Sequence, residues 1–163
     1  MFPEHLAQLA EAVLAAARKK GLRIVTAESC TGGLIGGCLT EIAGSSDVVD
    51  RGFITYSNDA KVKLVGVQAA TLEKHGAVSA ETALEMAQGA LKNSQAQLAV
   101  SATGIAGPGG ATDTKPVGLV YIGIASGKNA FTIKNLFGGD RAAVRAETVE
   151  TALTALKKEI EAA

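Results

Sequence analysis

Apolar residues recur along this chain with two different periods, and the alternation between them outlines a fold. Leu6, Leu9, Ala10, Val13, Leu14 and Ala17 fall at the three- and four-residue spacing of one helix face. Lys19 and Lys20 suit the end of that helix, and Gly21 can close it. An apolar run over residues 22–27 then predicts a strand. A helix is expected over residues 34–43 in spite of Gly36 and Gly37, each of which costs about 1 kcal/mol against Ala inside a helix. Close packing against a neighbour would account for them. Gly52-Phe53-Ile54-Thr55-Tyr56 predicts a second strand. Ser57-Asn58 reads as the cap of a short helix carrying Asp59, Lys61 and Lys63. Ser79 caps a further helix with Ala83, Leu84, Ala87 and Leu91 on its inner face. Residues 98–102 predict a third strand that runs into a glycine-rich loop over residues 103–110. Residues 117–125 and 130–137 read as two strands joined at Gly127-Lys128-Asn129, a hairpin signal. Asp140 caps a last helix whose stripe is Ala142, Ala146, Val149, Leu153, Leu156 and Ile160.

Helices that alternate with strands, together with one hairpin, place the chain in the α/β class. The expected architecture is a three-layer α/β/α sandwich around a mixed, mostly parallel sheet that includes one antiparallel hairpin. No internal repeat, linker or low-complexity segment interrupts it. The 163 residues are expected to form a single domain over 1–163.

Composition narrows the function. Hydrophobic residues make up 47% of the chain, which excludes a disordered segment. Sixteen basic residues balance sixteen acidic ones, so a general grip on nucleic acid is not expected. The absence of Trp speaks against a stacking platform for single strands. No apolar stretch reaches membrane-spanning length, and Met1-Phe2-Pro3-Glu4-His5 has the wrong flanks for an export signal. Cys30 and Cys38 do not form a zinc pattern, and two histidines are too few to complete one. These readings point to a reduced, cytoplasmic protein with a small-molecule ligand and neither a metal nor a membrane.

The chemistry concentrates at Glu28-Ser29-Cys30-Thr31-Gly32-Gly33, between a predicted strand and a predicted helix. Free backbone N–H groups and the helix dipole favour negative charge there, so the turn suits an anion or a nucleophile beside an oxyanion site. Ser29 reads either as a helix cap or as a nucleophile. Cys30 is the competing nucleophile, or a small buried apolar residue. Thr31 either caps the helix or touches a ligand. A serine nucleophile needs a base. His5 sits in the first helix and His75 in a turn before Gly76, so a Ser-His-Asp triad is weakly supported. Lys61 and Lys63 are the alternative activators, or solvated charges. At an ordinary pKa near 10.4, only about one lysine in 2,500 is neutral at pH 7. Lowering it to about 7.5 requires roughly 4 kcal/mol against the charged form, from burial or neighbouring cations.

Two further features bear on a ligand. The glycine-rich loop has neither a P-loop ending nor a dinucleotide pattern. It is a flexible connection or a stretch whose N–H groups approach a ligand. Arg141 and Arg145 lie one turn apart at the start of the last helix, where the dipole disfavours cations. They are a surface pair answered by Asp140 or Glu147, or a clamp for phosphate or carboxylate.

Taken together, these stretches resemble the CinA C-terminal domain family, whose stand-alone members are nicotinamide-nucleotide amidases. The resemblance runs in order through residues 26–33, Gly44-Ser45-Ser46, residues 51–61 and His75-Gly76-Ala77-Val78-Ser79. It continues through residues 101–110, Lys115-Pro116-Val117-Gly118 and residues 139–145. It implies hydrolysis of nicotinamide mononucleotide to nicotinate mononucleotide and ammonia in pyridine-nucleotide salvage. It also implies a homo-oligomer, expected to be a dimer, and no cofactor. The family's larger members carry an additional N-terminal domain, for which this length leaves no room. By resemblance, Ser29 is the nucleophile, Lys61 the general base, and Tyr56 a proton relay or an orienting group for Lys61. Thr31, Ser46, Thr103 and Gly104 fall around the pocket. Arg141 and Arg145 hold the phosphate, and the N–H groups of Gly32 and Gly33 hold the oxyanion. The competing reading is a non-enzymatic nucleotide-binding or interaction module linked to competence or DNA damage; a third is an amidase for another phosphorylated amide.

Overall fold

Alternate residues of the central strands face opposite ways, and this parity distributes the helices. In β1 (Ile24–Glu28), Ile24 joins the larger apolar core while Val25 and Ala27 join a second, smaller one. In β3 (Leu98–Gly104), Leu98, Val100 and Ala102 face the larger core and Ala99 the smaller. Each strand is buried on both sides, as expected of strands sandwiched between helices. The computed structural model describes residues 1–163. The remaining strands are β2 (Val49–Ile54), β4 (Leu119–Ser126) and β5 (Ala130–Leu136). The helices are α1 (Glu4–Lys19), α2 (Leu34–Thr40), α3 (Asn58–Val65), α4 (Ala69–His75), α5 (Ala80–Lys92) and α6 (Arg141–Ala162). Residues of α1, α2 and α6 build the larger core, and residues of α3 and α5 the smaller.

The sheet runs β2-β1-β3-β4-β5. β1 pairs in parallel with both β2 and β3, and β4 pairs antiparallel with both β3 and β5. Four of the five strands therefore point one way, and the hairpin supplies the reversed strand. The expected three-layer α/β/α sandwich with a mixed sheet is what forms. No helix is long and apolar enough to cross a membrane.

Three expected caps are present. Ser57 accepts from the Ala60 N–H, Ser79 from Thr82 and Asp140 from Ala143. Two expected helix faces differ. On α5 the buried residues are Thr82, Ala83, Met86, Ala87 and Ala90, while Leu84 and Leu91 lie half-buried on the flank. The cause is close approach: a side chain at Gly123 of β4 would collide with the Ala83 carbonyl. The small residue Ala83 sits at that contact. On α6, Ala142 and Ala146 are exposed, and the buried face begins at Val144 and Thr148. Thr148 hides its hydroxyl by donating to the Val144 carbonyl at 2.7 Å, so a polar residue serves as core. The second strand also lies earlier than expected, ending at Ile54 and leaving Thr55 and Tyr56 beyond it. The short helix α4 had no counterpart in the sequence pattern.

Candidate active site

The strand order reverses direction at β1. The chain leaves β1 through α2 on one face to reach β2, and returns through α3, α4 and α5 on the other to reach β3. In open α/β sheets the crevice outside the carboxyl end of such a strand is where ligands bind. Here that crevice begins at Glu28-Ser29. Strand parity continues to that point: Glu28 reaches α2 on one face, and Ser29 reaches α3 on the other. The Ser29 N–H still donates to Ala102 of β3 at 2.9 Å, which fixes the turn to the sheet.

Glu28 settles what becomes of the N-terminus of α2. Its carboxylate is 1% exposed and accepts from the N–H groups of Gly33, Ile35 and Gly36 at 3.1, 3.0 and 2.8 Å. The anion favoured by the helix start is thus the protein's own side chain. The Gly32 N–H donates to the Ser29 carbonyl at 3.0 Å. Neither Gly32 nor Gly33 is therefore free to hold an oxyanion, which corrects the expectation from the sequence. Their role is conformational: both adopt positive φ, 57° and 104°, turning the chain from strand into helix. The N–H groups of Cys30 and Thr31, in the same turn, donate to no backbone carbonyl. Beside them, Thr31 Oγ1 is the one buried side-chain polar atom without a partner. Unpartnered buried groups are rare in native folds.

Lys61 Nζ lies 3.0 Å from Ser29 Oγ and 2.8 Å from the Thr55 carbonyl. The side chain is 2% exposed. No carboxylate pairs with it, and burial lowers its pKa below the ordinary lysine value, opposed by the nearby Cys30 thiol. The fold thus answers the choice between two lysines: Lys63 points to solvent and pairs with Asp59 at 3.0 Å. Lys61 Nζ is held by Thr55 O in the position where a neutral amine would accept the Ser29 proton. Burial pushes the Cys30 thiol up to about 11, so it stays protonated near neutral pH and is a poor nucleophile. Both histidines sit elsewhere, His5 beside Glu150 and His75 beside Glu81.

The other expected site residues are brought together in part. Arg145 donates to the carbonyls of Cys30 and Thr31, each at 3.2 Å. Arg141 donates to the Gly107 carbonyl at 2.9 Å and to the Tyr56 hydroxyl at 3.1 Å. These arginines are answered by carbonyls and a phenol, not by Asp140 or Glu147. Both line a cleft of about 740 Å³ with Gly107, Pro108, Val117 and Gly139. Neither Ser29 nor Lys61 lines it; Arg145 is the link between cleft and turn. Tyr56 is 60% exposed and meets Arg141, not Lys61, so it does not orient the amine in this chain. Thr103 Oγ1 is committed to the Ala77 carbonyl at 2.7 Å. Gly104 reflects packing, because a Cβ there would sit 2.6 Å from Val120. Ser46 is exposed in a single turn before β2, beyond the starting end of the parallel strands, and so lies at the opposite end of the sheet from Ser29. No cluster of three His, Cys, Asp or Glu side chains could hold a metal. Sequence reasoning assigned no role to Glu28 or to the Thr55 carbonyl. The parity of β1 was the available signal for the first; a backbone acceptor leaves none.

A model of the CinA C-terminal domain family matches residues 6–160. The chain is 54% identical over 152 residues to a Caldicellulosiruptor bescii protein named for competence and damage induction. That alignment covers 93% of this chain, which spans only 37% of the relative's length. It is 47% identical over 157 residues to the nicotinamide-nucleotide amidohydrolase PncC of Escherichia coli, covering 96% of this chain and 95% of that protein. A solved structure of the competence/damage inducible protein CihA from Agrobacterium tumefaciens superposes with a TM-score of 0.95 at 50% identity. That match covers 99% of this chain and 98% of the other.

Proposed function

The chain belongs to the CinA C-terminal domain family, and from that premise we propose that it is a nicotinamide-nucleotide amidase working through Ser29 and Lys61. The substrate class comes from the relative named as such an amidohydrolase. The observation that carries the mechanism is the 3.0 Å contact between Ser29 Oγ and a buried lysine that has no carboxylate partner.

In this reading neutral Lys61 removes the Ser29 proton as Oγ attacks the carboxamide carbon of nicotinamide mononucleotide. The N–H groups of Cys30 and Thr31 receive the developing oxyanion, a contribution worth ~10²–10³ in rate per donor. Lys61 then returns the proton to the departing nitrogen, which leaves as ammonia. A water, deprotonated by Lys61, hydrolyses the Ser29 ester to nicotinate mononucleotide. The 740 Å³ cleft is of a size that suits a nucleotide, and Arg141 and Arg145 supply positive charge for its phosphate. Cytoplasmic location and a dimer belong to the same reading. Ile54, 56% exposed on the edge strand β2, and Tyr56, 60% exposed just beyond that strand, offer a surface for a second copy.

Incubation of the purified protein with nicotinamide mononucleotide tests the proposal. Ammonia and nicotinate mononucleotide should appear in equal amounts, and Ser29→Ala should abolish both. Binding without turnover would favour a nucleotide-binding module. Near-wild-type turnover by a folded Ser29→Ala protein would remove the covalent scheme.

A further inference from the structure

Ser29-Cys30-Thr31-Gly32 form a β-turn, closed by the 3.0 Å bond from the Gly32 N–H to the Ser29 carbonyl. Cys30 and Thr31 are its central residues, and the peptide between them is the unit least restrained by that bond. In turns of this kind the middle peptide is the one that rotates between alternative types. Its C=O and N–H point in opposite directions, because the unit is planar and trans. Whatever grips the Cys30 carbonyl therefore aims the Thr31 N–H.

Arg145 supplies that grip. Its Nε donates to the Cys30 carbonyl and its Nη2 to the Thr31 carbonyl, both at 3.2 Å. A guanidinium presents these donors in a rigid, permanently charged fork, and a lysine could not span both carbonyls in the same way. The contact crosses more than a hundred residues and joins α6 to the turn. Positive charge at the carbonyl end of a peptide also polarises its N–H. Three of the five guanidinium N–H groups remain for the cleft. We infer that Arg145 is a positioning residue that fixes and polarises the Cys30–Thr31 peptide so that its N–H serves as an oxyanion donor for Ser29. This rests on the amidase reading and goes beyond a phosphate clamp, because the effect acts on the reacting centre even when no phosphate is bound.

The test uses two substrates with one nucleophile. A small uncharged phosphonofluoridate labels an activated serine: Oγ bonds to phosphorus, fluoride leaves, Lys61 takes the proton, and the adduct's P=O oxygen occupies the oxyanion position. Labelling of residue 29 is followed by intact mass, and nicotinamide mononucleotide turnover by ammonia, in the wild type, Arg145→Ala and Arg145→Lys. Each variant is first shown to keep its melting transition; should the alanine variant fail to fold, Arg145→Lys alone carries the comparison. Arg145→Ala should slow labelling and kcat together, by roughly tenfold to a hundredfold, in addition to any rise in KM from the lost phosphate contact. Arg145→Lys should fall between, and added guanidinium ion should restore part of both rates in the alanine variant. Unchanged labelling with a raised KM would overturn the inference and leave a phosphate clamp. A wild type that labels at Ser29 but releases no ammonia would sink the amidase reading alone, and the labelling rates would still decide the role of Arg145. Absence of labelling in the wild type would overturn both.

Discussion

Burying Lys61 with no carboxylate beside it works against folding while the amine is protonated, since the native state must bear the desolvation or release the proton. The pKa of this group is lowered on folding. The unfolded chain therefore binds the extra proton between the folded value and the ordinary lysine value, and stability rises with pH across that window. Lys61→Met should raise the melting temperature at pH 7, and the gain should shrink as pH climbs towards about 10.4. The same variant should lose ~10²–10⁴ in kcat through loss of the base. In the wild type, kcat/KM should rise with pH on an acid limb set by Lys61. Cys30→Ala tests the neighbouring group. Its thiol sits at about 11 and stays protonated, so the variant should keep most of its activity in an ammonia-release assay. The family resemblance singled out Lys61 as the base, but the residues alone did not separate it from Lys63. The pattern offered Lys61 and Lys63 as equals, and only the placement of α3 against the smaller core buries one and leaves the other in water.

At the scale of elements, β1 and α2 hand the chain over through one carboxylate. Glu28 accepts three N–H groups of the α2 start, so an amide in its place would turn an NH2 group against donors. Glu28→Gln should cost about 2 kcal/mol, read as a lower midpoint in urea with an unchanged slope. Turnover should fall as well, because the turn carrying Ser29 begins at the next residue. The strand-turn-helix itself was visible in the apolar run and in Gly32-Gly33. What its N–H groups hold was not, since the helix dipole predicts an anion without naming it. Helix caps were legible because Ser57, Ser79 and Asp140 each act on the residue three further on. Faces were less so. Thr148 is polar by type and buried in fact, and α5 turns alanines rather than leucines to the sheet.

For the molecule as a whole, period-2 and period-3.6 segments in alternation were enough to expect three layers and a hairpin. They could not show that the helices part to opposite faces at β1, which is what opens the crevice at Ser29. Nor could they show the closeness of α5 to β4. Gly123→Val should force that contact apart at a cost of about 1–3 kcal/mol or more, seen in chemical denaturation. Ser46 marks the limit of reading a site from motifs: its segment fits the pattern, yet the parallel register of β1 and β2 carries it to the far end of the sheet. The account as a whole requires one amine to be uncharged near neutral pH. An NMR titration of lysines labelled at Cε, with the Lys61 signal assigned by its loss in Lys61→Met, measures this directly. One resonance should titrate well below the other lysines and coincide with the acid limb of kcat/KM. A Lys61 signal titrating at the ordinary lysine value of about 10.4 would contradict the account.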